Sequence, residues 1–254
     1  MEVIEVKKIV EIALNAGEIL LVNGAETYRV EETIEKICNS YGVSCECISL
    51  ATGIFIAAKH ENNELVSSLK RIKQRRVDLY RIELINSFSR NLSLKPISYD
   101  EAMRILKEIE AAPYFSYKVR TFAACMTAFI YTLFFQGSFY DSLVAFFVSG
   151  ITYVMLEKIS EVGFFQFFEY YLAGFFIGSV SMFAEVVIPG INKSNVITGA
   201  IMILLPGVAL TNGIKDALYG DFTSGLAKFG EAMLVITAVG AGIGTSLAIG
   251  LKWM

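Results

Sequence analysis

Histidine is almost absent from this chain: His60 is the single one in 254 residues. That excludes metal sites built from several imidazoles and argues against a lone catalytic histidine. The four cysteines (Cys38, Cys45, Cys47 and Cys125) fit no zinc spacing. Cys45 and Cys47 fall on one face of a strand, and all four read as reduced structural thiols. No G-x-x-x-x-G-K-[ST] loop is present, so ATP is not expected as the direct energy source. No G-x-S-x-G elbow is present either. The expectation is a non-enzyme with no catalytic residues, no metal and no cofactor.

Positive charge is scarce in the second half. Of 22 Lys and Arg, 17 lie at or before Arg120, and only Lys158, Lys193, Lys215, Lys228 and Lys252 follow. The 25 acids divide as 17 and 8 across the same point. The chain is 54% hydrophobic, with mean hydropathy +0.54. A charge-rich first half and an apolar second half indicate two regions in two solvents.

Apolar residues at Ile9, Val10, Ala13, Ala16, Leu20 and Leu21 have helical spacing over 4–21. Asn23-Gly24 ends that helix, and a second begins near Ala25 and closes at Gly42. VSCECISL, ATG and IFIAAKH predict strand, turn and strand, with ELVSSLKRIK as a third strand. Residues 78–92 and 98–111 read as helices, the latter with Ser98 as N-cap and Glu101 three residues on. The fold class is therefore mixed. A small cytoplasmic α+β domain over 1–112 precedes an all-α transmembrane domain of about five helices over 113–254. The opening MEVIEVKKIVEIAL carries acids where a signal peptide has a basic region, which keeps the N-terminus in the cytoplasm.

Five apolar stretches follow Pro113, at roughly 121–139, 142–157, 165–188, 195–211 and 229–251. Lys118 and Arg120 precede the first and place that side in the cytoplasm, and QGSFYD between the first two has no Lys or Arg. The expected location is a multi-pass protein of the cytoplasmic (inner) membrane, with the lipid bilayer as solvent. The 212–228 connection is polar.

Pro206-Gly207 interrupts the fourth stretch, and interrupted membrane helices expose backbone dipoles that line polar cavities in transporters. Asn212, Asp216 and Asp221 then bind a substrate ammonium or a proton; alternatively, the helix ends at Pro206 and a solvated loop follows. Glu169 and Glu185 lie near the two ends of the third stretch, where charge in a membrane needs a reason or an interfacial position. Asp141 opens the second stretch, as a binding group or a helix-start acid. GAGIG at 240–244 sits in an apolar span with no preceding strand, so it packs helices rather than holding a nucleotide. KRIKQRR at 70–76 either contacts anionic lipid or is a solvated face. Nucleic acid is not expected, because the domain's acids balance its bases.

LLVNGAETYRVEETIEKICNSYGV, together with LLPGVALTNGIKDALYGDFTSGLAKFGEA, resembles the two signature regions of the threonine/serine exporter (ThrE-type) family. The resemblance covers nearly the whole chain. It carries the family's motif positions onto Gly24, Ala25, Glu26, Arg29 and Glu31, and onto Pro206, Gly207, Asn212, Gly213, Asp216, Gly220, Asp221 and Gly225. It implies secondary active export of small polar metabolites across the cytoplasmic membrane, either amino acids such as threonine and serine or dicarboxylates such as succinate. Five spans resemble the larger subunit of a split form associated with succinate export. That implies a second, smaller membrane subunit and a hetero- or homo-oligomer. The competing readings are a membrane-anchored sensor or scaffold, or a hydrolase-like enzyme using the N-terminal domain.

Overall fold

The computed structural model describes residues 5–59, 65–73, 75–163, 165–250 and Lys252. His60, Gln74 of the basic cluster and the terminal Trp253-Met254 lie outside the described residues. The chain divides into two compact units: residues 1–113 with 208–230, and residues 114–207 with 231–254.

The first unit begins with α1 (Val6–Val22) and α2 (Thr27–Ser40). An antiparallel meander follows, of β1 (Ser44–Leu50), β2 (Gly53–Lys59) and β3 (Leu65–Arg71), in the order β1-β2-β3. Then come α3 (Leu79–Leu94) and α4 (Tyr99–Glu110). The α1 stripe is buried as its spacing predicts, against Val30, Ile34 and Ile37 of α2, Ile54 and Ile56 of β2, and Ile85 and Leu92 of α3. A Cβ on Gly17 would stand 2.6 Å from Ile34 Cδ1, so α1 approaches α2 as closely as it does because that side chain is missing. Ser98 caps α4 by accepting from Glu101 N, as expected. The buried Arg81 donates to the Glu110 and Ala112 carbonyls, which closes the C-terminal end of α4 next to Pro113.

The second unit holds α5 (Tyr117–Phe134), α6 (Phe139–Val162), α7 (Gln166–Val187), α8 (Lys193–Ala200) with a 3-10 turn at Ile201–Ile203, and the later part of α10 (Phe222–Gly250). Helix α9 (Gly207–Leu218) starts at the Pro206-Gly207 break. Phe122, Phe134, Phe147 and Phe183 point outward, which suits lipid rather than water.

The structure corrects two expectations. Among the described residues three helices are long and apolar enough to cross a membrane: Phe139–Glu161, Gln166–Val187 and Phe222–Gly250. They are four if the pair broken at Pro206 counts as one, against the five expected. The shortfall is α5, whose 18 residues begin with Lys118 and Arg120 in the first turn. The polar 212–228 connection is not a loop: α9 runs to Leu218 and α10 starts at Phe222, leaving only a tight turn between them.

The GAGIG segment packs, but through a different residue from the one its i,i+4 spacing suggests. Gly240 and Gly244 face open space, whereas a Cβ on Gly242 would stand 2.1 Å from Tyr171 O and 2.7 Å from Phe175 N of α7. Gly174 repeats the device, its Cβ position lying 2.4 Å from Val239 O. Gly242→Leu is therefore expected to destabilise by about 1–3 kcal/mol or more, lowering the melting temperature of the purified chain. Gly240→Leu is expected to stay within about 0.5 kcal/mol of wild type. Equal melting of the two variants would rule out the close α7–α10 approach.

Candidate functional site

Helix α2 begins without a side-chain cap of its own, although Glu26 occupies the N-cap position. The first N–H groups of a helix have no intrahelical acceptor, and the helix dipole makes that end attractive to an anion. The acceptor comes from Asp216 of α9, 189 positions away. Its Oδ1 accepts from Thr27 N at 3.0 Å and its Oδ2 from Thr27 Oγ1 at 2.8 Å. Asp216 is completely buried, so its charge needs a partner. Lys228 Nζ of α10 lies 2.7 Å from Asp216 Oδ2 and also donates to Ala25 O and Thr27 Oγ1, each at 3.3 Å.

Neighbouring contacts extend the junction. Asn212 Nδ2 donates to Gly24 O at 2.7 Å. Gly24 has φ +87°, the left-handed conformation that favours glycine at a helix end, which turns its carbonyl toward α9. Glu26 is drawn away from the helix start by Lys215 at 2.9 Å and Arg29 at 3.3 Å. Burial pushes its carboxyl up, but the hydrogen bond from Lys215 and the nearby cations hold it below the usual carboxylate range. Tyr28 stacks on Tyr219 with ring centroids 4.1 Å apart. Gly213 and Gly225 let α9 and α10 touch: a Cβ on Gly225 would stand 2.7 Å from Gly213 O.

The structure thus brings together Gly24, Glu26, Arg29, Asn212, Gly213 and Asp216 of the residues expected from sequence. Asp216 and Asn212 are buried contacts within the unit, not groups of a solvated loop. Asp221 and Glu31 complete the acidic side. Glu31 Oε1 accepts from Ser49 N at 2.6 Å. Its carboxyl is pushed up by burial and by the charges of Asp221, Glu35 and Asp216. Asp221 has no side-chain hydrogen bond among the described residues, and burial followed by repulsion from Asp216 raises it against the pull of Lys228. Sequence reasoning missed Thr27 and Lys228. Lys228 was legible in principle as a rare cation beside the second motif, since only five Lys or Arg follow Arg120.

The other candidates lie in the second unit. Asp141 completes a capping box with Ser138 and accepts from Asn192 N at 2.8 Å and Asn195 Nδ2 at 3.0 Å. It ties the start of α6 to the start of α8. Glu185 pairs with Lys193 and accepts from its backbone N at 3.2 Å. Glu169 is buried in the first turn of α7. It stands 16 residues before Glu185 on the same helix, about 24 Å along the axis at 1.5 Å per residue. These acids therefore do not form one cluster. Pro206 and Gly207 mark the break before α9, and a Cβ at Gly207 would meet open space.

Residues 11–250 match the family described as "Putative threonine/serine exporter". The chain is 21% identical over 245 residues to a "Probable threonine/serine exporter" of Mycobacterium tuberculosis, covering 95% of this chain and 46% of that protein. It is 20% identical over 259 residues to a "Threonine/serine exporter" of Corynebacterium glutamicum, covering 96% of this chain and 52% of that one. The chain thus spans about half the length of the curated relatives it matches. No solved structure matches it.

Two outcomes test the junction. Asp216→Ala leaves Lys228 buried without a counter-charge and α2 without its cap, which is expected to destabilise by about 3–5 kcal/mol. Asp216→Asn paired with Lys228→Met removes both charges and is expected to recover a large part of the loss in thermal melts. If the double variant melts no higher than Asp216→Ala, the ion pair is not what holds the hairpin.

The second outcome concerns pH. Glu31 and Asp221 are raised in the folded state, so their ionisation opposes folding. That penalty is present above their folded pKa values and lifts as pH falls through them. Glu26 is lowered, so its contribution is lost on further acidification through the ordinary carboxylate range. Asp221→Asn is therefore expected to raise the melting temperature at about pH 7.5 and to flatten its change as pH falls toward the ordinary carboxylate range. An unchanged slope would show that Asp221 does not carry the penalty.

Proposed function

The chain belongs to the threonine/serine exporter family, and we propose that it forms the membrane pathway, or part of it, for secondary active export of small amino acids such as threonine and serine. The observation that carries this reading is the Asp216 junction. Both signature regions meet there, around a buried ion pair at the point where α10 begins. An exporter acts on small solutes within a membrane, and the apolar helices suit that medium.

Electrostatics favours a solute with an ammonium group over a dicarboxylate such as succinate. Asp216 is satisfied by Thr27 and Lys228, but the charge of Asp221 is resisted by burial and by Asp216, and that of Glu31 by burial and by Asp221, Glu35 and Asp216. A proton or a substrate ammonium relieves that repulsion, whereas a dianion adds to it. Asp221 is accordingly the group proposed to bind the proton or the solute, and Asp216 the residue that positions it.

On the same reading residues 1–112 are cytoplasmic and the membrane is the inner one. Helix α5, at 18 residues, is about 27 Å long. Its Arg120 meets Glu157 at 2.5 Å, a pairing suited to the headgroup level. A second membrane subunit or further copies complete the pathway; the open side of α10 at Gly240 and Gly244 leaves room for a helix to approach.

Export into proteoliposomes tests the proposal. Wild-type chain, reconstituted with and without a small co-encoded membrane protein, is expected to move threonine or serine faster than succinate along an imposed ion gradient. Asp221→Asn is expected to lower the initial rate at least tenfold while the protein stays folded, and Glu161→Gln to leave it within twofold. Unchanged flux in Asp221→Asn, or faster succinate than threonine flux, would overturn the assignment.

A further inference from the structure

The three-stranded sheet has one face on the core and one face with no partner among the described residues. Ile54, Ile56 and Ala58 point inward from β2. On the outward face the register aligns Ile48 of β1 with Phe55 of β2 and Leu69 of β3, forming an apolar row across all three strands. These residues are 61%, 47% and 60% exposed. An exposed row of this kind on a sheet marks a surface that something covers.

The row has a definite place within its unit. Ser49, the neighbour of Ile48, donates to Glu31 on α2, one turn on from Thr27, which Asp216 of α9 and Lys228 of α10 both contact. The row therefore lies toward the end of the domain from which α10, a candidate membrane span, departs. The charge points the same way. Arg71 shares the outward face of β3 with Leu69, and Lys73 is exposed just beyond it. No acid occurs between Leu65 and Val77, while Lys70, Arg71, Lys73, Arg75 and Arg76 do. Arg76 leads this segment back to the junction: its N donates to Val22 O at 2.8 Å and its Nε to Asn23 Oδ1 at 2.9 Å. The apolar row, the basic segment and the start of α10 thus belong to one end of one unit.

We propose that the outer face of the sheet, with the basic segment following β3, docks on the headgroup layer of an anionic bilayer. Apolar side chains enter the acyl boundary while flanking cations meet lipid phosphates, the pairing that gives interfacial segments their affinity. A second copy of the chain is a poorer occupant, because it would set this acid-free basic segment near its own like charge. The proposal holds whichever solute the protein carries.

The test uses the full chain in liposomes, with Trp253→Phe as background and Phe55→Trp as the reporter, so that the introduced indole is the only one in the chain. The vesicles are phosphatidylcholine alone or with phosphatidylglycerol, with and without bromine on the acyl chains. In anionic vesicles the indole emission is expected to shift to shorter wavelength and to be quenched at least twofold by brominated lipid. Arg71→Glu with Lys73→Glu is expected to abolish most of that quenching, with an unchanged circular dichroism spectrum and threonine flux retained. Water-like, unquenched emission in anionic vesicles would overturn the proposal. So would a shift that depends on the protein-to-lipid ratio but not on bromine, which would assign the face to a second copy. Failure of transport with intact quenching would bear on the exporter reading alone.

Discussion

The bare N-terminus of α2 is the constraint from which the junction follows. A buried helix start needs an anion, and Glu26, which could serve, is engaged by Lys215 and Arg29. Asp216 fills the position from α9. A fully buried carboxylate then requires a cation, which Lys228 supplies from α10. Reaching Asp216 from α10 requires α9 and α10 to lie against one another, which the Gly213–Gly225 contact permits. Each step is imposed by the one before it. Removing one member of such a set leaves an unpaired charge or an orphan donor, so the residues are coupled far more strongly than their separation in sequence suggests.

Much of the first unit was legible because its signals are local. Helical spacing in α1, alternation in the strands around Ala51-Thr52, and Ser98 three residues before Glu101 all encode structure within a few positions. The helices of the 212–228 segment were not legible, for an equally local reason. Gly213, Gly220 and Gly225 look like loop punctuation, since each glycine costs a helix about 1 kcal/mol relative to alanine. In the folded chain two of them are the contact between helices, and that benefit appears only when the partner is in place. The Asp216–Thr27 bond joins residues 189 apart, a separation on which no periodicity reports. Resemblance marked Asp216 as a motif position; the geometry explains why an aspartate stands there. The 121–139 stretch misled in the opposite direction, since hydropathy ran past the end of α5 at Phe134.

On the proposed reading, the two aspartates that close the second signature region divide two tasks. Asp216 has every near acceptor position engaged, so solute binding there would first require breaking the cap and the ion pair. Asp221 is five residues on, partly buried and without a side-chain hydrogen bond among the described residues. A side chain that must change state is better placed beside a fixed charge than within it. The charge of Asp216 raises Asp221, as one carboxylate does to another beside it.

Opposing fields at Asp221 make the division workable. It immediately precedes α10, and a helix start favours the ionised form. Burial and Asp216 favour the protonated one, and they prevail. Glu31 extends the effect because its own charge is opposed by Asp221 while its Oε1 holds Ser49 of β1. Ser49 follows Ile48 on β1, so the bond that Ser49 N donates to Glu31 ties α2 to the strand that carries Ile48. A solute that titrates Asp221 acts on the same end of the domain that is proposed to rest on the bilayer.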